Sequence, residues 1–201
     1  MTFATEYPDA PSATRSLRAD ARRNVQRVLE AAEEIFSTEG LAVPIDTIAA
    51  RAGVGIGTVY RHFPTKQALF EAVVVARLQS LVTRAKQLST ASDPGEALFT
   101  FVAELVELAS SKKDLNDELA RAGIDSERLH STIKDELVAA FEVLLQRAQS
   151  SGAVRPDVTT SEITALLMGT CMAADRQGDK GSTCRLVAIL CDGLRAHAER
   201  A

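Results

Sequence analysis

A chain of 201 residues with 46% hydrophobic and 25% charged residues, no Trp and a net charge of −4 can bury one sizeable core or two small ones. No run approaches the roughly 18 apolar residues that span a bilayer. The first twenty residues lack both a basic segment and an apolar one, so no signal peptide is expected and the expected location is cytoplasmic, with no membrane partner.

Residues 1–14 form a Pro/Ser/Thr/Ala tail without periodicity, expected to be disordered. From about 18 to 38, Ala21, Val25, Val28, Leu29, Ala32, Ile35 and Phe36 recur at three- and four-residue steps, which predicts an amphipathic helix stopped at Gly40. A short helix is predicted to start at Pro44, with Ile48, Ala49 and Ala52 inward and Gly53 at its end. A third follows at about 57–63, broken by Pro64, and Thr65 caps a long helix over about 66–88. Asp93 and Glu96 open a helix at 94–110 by capping-box logic. One short helix is expected within 111–124. Leu129, Ile133, Leu137, Ala140, Phe141, Leu144 and Ala148 mark another at about 126–150. Thr159 and Glu162 open a helix to about 176, and a last one runs over about 182–199. With no strand pattern and no repeat, the fold class is all-α with about nine helices.

The segment GVGIGTVYRHFPTK at 53–66 is the most informative. A phosphate-binding loop needs a preceding strand, and in the Walker type a lysine directly after the last glycine; neither is present. A helix-turn-helix fits every requirement. Gly53 supplies the positive φ of the turn, Ala49 is small where the two helices approach, and Ile48, Ala52, Val54 and Val59 are apolar where they lock together. Gly55 and Gly57 leave the start of the next helix slim enough to approach a groove. At 100° per residue, Val59 and Phe63 point inward, Gly57, Thr58 and Arg61 outward, and Tyr60 and His62 to the flanks. Thr58 and Arg61 suit base edges. Tyr60, His62 and Lys66 suit backbone phosphates, although His62 could equally be an ordinary surface histidine and Tyr60 partly a core residue. Charge agrees with this placement. Residues 15–66 hold eight Lys/Arg against six Asp/Glu, whereas 67–201 hold 15 against 19.

The stretch from Arg27 to Leu69, with VLEAAEEIFSTEG and DTIAARAGVGIGTVYRHFPTKQAL, resembles the TetR family of bacterial one-component transcriptional repressors. The resemblance implies that Thr47, Thr58, Tyr60, Arg61, His62 and Lys66 occupy positions that commonly touch DNA. Two positions depart from the family pattern: Pro44 stands where a capping threonine is common, and Gly55 where a serine is common. The implied organisation is a DNA-binding domain at 15–66 and a ligand-binding and dimerisation domain at 67–201.

In the last two helices, Ile163, Leu166, Leu167, Thr170, Cys171 and Ala174 form one apolar face and Cys184, Val187, Ala188, Cys191 and Leu194 another. These faces either pack internally or, as the resemblance implies, join two subunits in a four-helix interface. The resemblance also implies a small-molecule effector, with Phe70, Val74, Leu78, Phe101, Leu105, Leu137, Phe141, Met168 and Met172 as candidate walls, each equally readable as ordinary core. The three histidines fall on separate predicted helices, so no catalytic constellation, metal site or cofactor is expected. The expected function is that of a homodimeric repressor released from a palindromic double-stranded DNA operator by an effector. Two alternatives stand beside it: a redox-responsive regulator acting through Cys171, Cys184 or Cys191, and an enzyme on a helix-turn-helix scaffold. The cysteines lack CxxC or zinc spacing and read first as buried structural thiols.

Overall fold

A computed structural model describes residues 11–110, 126–177 and 180–196. These form eight α-helices: α1 (Pro11–Thr38), α2 (Ile45–Ala52), α3 (Ile56–His62), α4 (Lys66–Leu88), α5 (Pro94–Ser110), α6 (Ser126–Ser150), α7 (Thr160–Gln177) and α8 (Lys180–Leu194). Among the described residues there is no strand, and only an isolated antiparallel bridge joins Val154 to Arg195. The short helix expected within 111–124 lies outside the described residues. The chain divides into two units, Met1–Val73 and Val74–Ala201, and the division falls within α4.

Four boundaries differ from the sequence expectation for a local reason; in addition α3 starts at Ile56 and α8 at Lys180, one and two residues earlier than expected, and α7 ends one later, at Gln177. α1 begins at Pro11, so residues 11–14 are helical and not tail. Proline suits a first helical position, and an established helix extends at little cost per residue; residues 1–10 lie outside the described residues. Pro44 is the N-cap of α2 and not its first residue, because its ψ of 150° is extended. α3 ends one residue early: Phe63 precedes Pro64, whose ring disfavours helical geometry in the residue before it. α8 stops at Leu194 because the chain turns to pair with the α6–α7 connection. Arg155 N–H donates to the Leu194 carbonyl (3.0 Å) and Ala196 N–H to the Ala153 carbonyl (3.2 Å). Residues 197–199 lie outside the described residues.

In the first unit, Val28, Ala31, Ala32, Ile35 and Phe36 of α1 form the buried stripe that their spacing demands. Ile45, Ile48, Ala49 and Ala52 of α2, Val59 of α3, Phe63 just after it, and Leu69, Phe70 and Val73 of α4 complete this unit's buried apolar set.

The second unit's core is built from Leu98, Phe101 and Val102 of α5, Phe141, Leu144 and Leu145 of α6, Ile163 and Leu167 of α7, and Cys191 and Leu194 of α8. Phe101 and Phe141 meet with ring centroids 5.6 Å apart. Arg84 of α4 grips Glu104 of α5 with Nε and Nη2, the latter at 2.8 Å from Oε1, and the carboxylate holds the guanidinium pKa above its ordinary value. Arg147 of α6 donates to the Ser89 and Ala91 carbonyls and so fixes the α4–α5 loop.

Candidate nucleic-acid interface

The turn between α2 and α3 is closed by backbone bonds that need a left-handed residue. Gly53 sits at φ 63° and ψ 39°. Its N–H donates to the Ala50 carbonyl (3.1 Å) while Val54 N–H donates to the Ala49 carbonyl (3.0 Å), which satisfies the last carbonyls of α2. Gly55 is the N-cap of α3 with an ordinary extended backbone and no side-chain cap bond. A Cβ added at Gly55 or Gly57 would meet nothing within 4 Å, so both positions border open space.

α3 is anchored by Val59, which is fully buried, and closed by Phe63, whose N–H donates to the Val59 carbonyl (2.8 Å). Opposite Val59 lie Gly57 and Arg61, both exposed. Tyr60 is 47% exposed, His62 is exposed and Thr58 half-buried, so most of the expected DNA-contacting side chains share the outer surface of one short helix. Thr47 is exposed on α2, its N–H held by Asp46 Oδ1 at 3.1 Å. Lys66 is half-buried at the first position of α4, where Thr65 Oγ1 accepts the Ala68 N–H (3.0 Å). Sequence reasoning did not single out Ile56. It is 45% exposed at the first position of α3, able to meet a thymine methyl. Its flanking glycines were the signal: the only bulk at that end of the helix is this one side chain.

The expected effector walls separate. Leu78, Phe101 and Phe141 are buried in the second unit's core, with Val74, Leu105 and Leu137 packed against it. Phe70 is instead buried in the first unit against Phe36, so it is a core residue of the helix-turn-helix unit. Met168 and Met172 are 65% and 62% exposed and line no interior.

The residues of the expected dimer face separate in the same way by burial. Ile163, Leu167, Cys191 and Leu194 are buried in their own unit, and Thr170, Cys171 and Val187 are half-buried, whereas Cys184 and Ala188 are exposed. The Ala174 side chain lies outside the described residues. α7 carries two apolar stripes, and periodicity alone does not say which one turns inward. The outward one is Ala165, Leu166, Met168, Gly169 and Met172, continued on α8 by Ala188 and Ile189. Burial pushes the Cys191 thiol pKa up, which favours the neutral, unreactive form. Among the described residues no group of three or more His, Cys, Asp or Glu is placed to hold a metal ion, and no helix is long and apolar enough to cross a membrane.

A three-helix unit that presents a short, slim, polar-faced helix behind a glycine turn defines a helix-turn-helix DNA-binding protein. The comparisons with known proteins agree. Residues 28–73 match the family model for bacterial regulatory proteins of the tetR family, and residues 93–196 match that for the C-terminal domain of SbtR-like transcriptional regulators. The chain is similar to a TetR transcription regulatory protein from Mycobacterium vanbaalenii, with 45% identity and a TM-score of 0.76 over 89% of this chain and 99% of that one. A TetR transcriptional regulator from Streptomyces coelicolor is 30% identical with a TM-score of 0.77, covering 87% and 99%. The HTH-type transcriptional regulator UidR of Escherichia coli K12 is 24% identical over 76% of this chain and 80% of its own length. The protein belongs to the TetR family of helix-turn-helix transcriptional regulators.

Proposed function

We propose that the protein is a cytoplasmic, homodimeric repressor that reads a palindromic double-stranded DNA operator and is released by a small-molecule effector. The observation that carries this reading is the outer face of α3, where Arg61 and Gly57 lie opposite the buried Val59 and are flanked by Tyr60 and His62. Arg61 reads a base edge, Thr58 and Ile56 contribute beside it, and Thr47, Tyr60, His62 and Lys66 meet phosphates. Dimerisation supplies the second α3 for the other half-site. The surface suited to it is the outward stripe of Leu166, Met168, Met172 and Ile189 with its small neighbours Ala165, Gly169 and Ala188. The effector binds in the interior of the second unit, beside Phe101, Leu105, Leu137 and Phe141, and lowers DNA affinity by favouring a conformation that holds the two α3 helices off register.

The test is fluorescence anisotropy on an operator selected from random oligonucleotides, across a salt series, for wild type and Arg61→Ala. Tight binding that weakens steeply with salt, with sequence discrimination lost in the variant, supports the reading. A selection that enriches no sequence overturns it. A second reading, redox control, is favoured by one observation: Cys184 is exposed. Peroxide that releases DNA from wild type but not from Cys184→Ser would replace effector control with thiol oxidation.

A further inference from the structure

α3 has only seven residues, and Val59 is its one fully buried side chain. A helix so short has little packing of its own to fix its tilt, yet base reading requires its side chains to be held within a fraction of an ångström. Two side chains of α1 supply what its own packing does not. Arg27 Nη2 donates to the Gly53 carbonyl at 3.3 Å, in the turn that launches α3. Glu34 Oε1 accepts from Arg51 Nη1 at 2.7 Å, at the end of α2 just before that turn. Arg27 and Glu34 are seven residues apart, two helical turns, and so share a face of α1. α1 is itself fixed by the buried Val28, Ala31, Ala32, Ile35 and Phe36. The guanidinium of Arg27 also occupies the space that a Cβ on Gly53 would take. Both contacts are exposed, so their share of folding stability is small.

We propose that Arg27 and Glu34 are positioning residues for DNA reading, bracing the α2–α3 turn on α1 and thereby setting the angle at which α3 is presented. This rests on the reading of α3 as the recognition helix. The brace acts on operator discrimination and leaves folding and general electrostatic attraction to DNA untouched.

The experiment compares wild type, Arg27→Ala, Arg51→Ala and the exchanged pair Glu34→Arg with Arg51→Glu, on the selected operator and on random DNA. The expected result is an operator affinity reduced by roughly tenfold in each single variant, with the melting temperature, the affinity for random DNA and the slope of log K against log salt unchanged. The exchanged pair restores most of the affinity. A slope in Arg27→Ala shallower by about one counterion would make Arg27 a phosphate ligand and overturn the brace, as would unchanged operator affinity. Amide hydrogen exchange of Thr58 and Val59 in the DNA-free protein reads the brace separately. Faster exchange in Arg27→Ala is expected, and equal exchange overturns the proposal even if DNA binding is weakened. Faster exchange in a protein whose wild type shows no sequence discrimination would instead sink the reading of α3 as recognition helix.

Discussion

Phe36 of α1 and Phe70 of α4 meet with ring centroids 5.7 Å apart and planes tilted by 57°. Both are almost fully buried, so the pair ties the start of α4 to the helix that supports the helix-turn-helix. Truncation of either ring leaves a cavity that the surrounding helices fill only in part. Phe70→Ala is therefore expected to destabilise the first unit by about 3–5 kcal/mol. The expected outcome is a lower first transition in calorimetry and lost DNA binding, with the transition of the second unit unmoved. If Phe70→Ala instead changed only the response to an effector, its placement in the first unit's core would be wrong.

Gly53 and Gly57 are both exposed, but they tolerate substitution very differently. Gly53 lies at φ 63° with Arg27 against it, so Gly53→Ala strains the backbone and displaces the guanidinium, a loss of more than about 1 kcal/mol. Gly57 is within α3 and faces open space, so Gly57→Leu replaces a poor helix former with a good one and gains roughly 0.8 kcal/mol. The same leucine would stand between α3 and the floor of a groove. Thermal melting should therefore rise for Gly57→Leu while operator affinity falls at least about tenfold. Unchanged operator affinity would show that this face of α3 does not enter a groove.

What was readable in advance depended on whether a residue's constraint is local. The left-handed turn at Gly53, the stop at Pro64 and the caps at Thr65, Asp93 and Thr159 follow from backbone chemistry within a few positions, and the starts of α4, α5 and α7 followed from them. The outward face of α3 was equally legible, since Val59 and Phe63 fix the inward direction and the rest follows at 100° per residue. Partners far along the chain were not legible. Phe70 pairs with Phe36 across 34 residues, and nothing in the spacing of α4 distinguishes its first two turns from the rest. On α7, Leu167 and Met168 are adjacent and similarly apolar, yet one is 6% exposed and the other 65%. Which stripe turns inward is decided by what α5 and α8 offer it. The bridge between Val154 and Arg195 was also invisible, because a single pairing has no period.

That difference between neighbouring residues of α7 separates folding from assembly. Ile163 is fully buried in its own unit, so Ile163→Ala is expected to cost about 2–5 kcal/mol of stability without changing subunit number. Met168 is 65% exposed, and a charge there leaves the folded chain undisturbed but places two like charges in the proposed two-fold interface. Met168→Glu should melt within a few degrees of wild type and sediment as a monomer, with operator binding weakened through the lost second half-site. A Met168→Glu protein that remained dimeric would move the interface away from this stripe.

The start of α7 carries a reciprocal cap whose strength depends on charge. Glu162 Oε2 accepts from both the N–H and the hydroxyl of Thr159, each at 2.8 Å, while Glu162 N–H donates to Thr159 Oγ1 at 3.3 Å. The Thr159 hydroxyl, followed by its N–H, holds the Glu162 carboxyl below the usual glutamate range, against a smaller opposing effect of desolvation. A carboxyl with a lower pKa when folded binds fewer protons in the folded chain than in the unfolded one, so stability rises with pH while the unfolded chain is still protonated. The contribution is complete above the unfolded value of about 4.3 and is lost as the pH falls through the lower, folded value. Glu162→Gln keeps an acceptor for Thr159 but cannot ionise. The melting temperature of wild type minus that of the variant, followed by circular dichroism, should be constant above about pH 5.5 and shrink steadily below about pH 4.3. A difference that stayed level down to the acid limb would mean that the ionised carboxylate adds nothing to the cap.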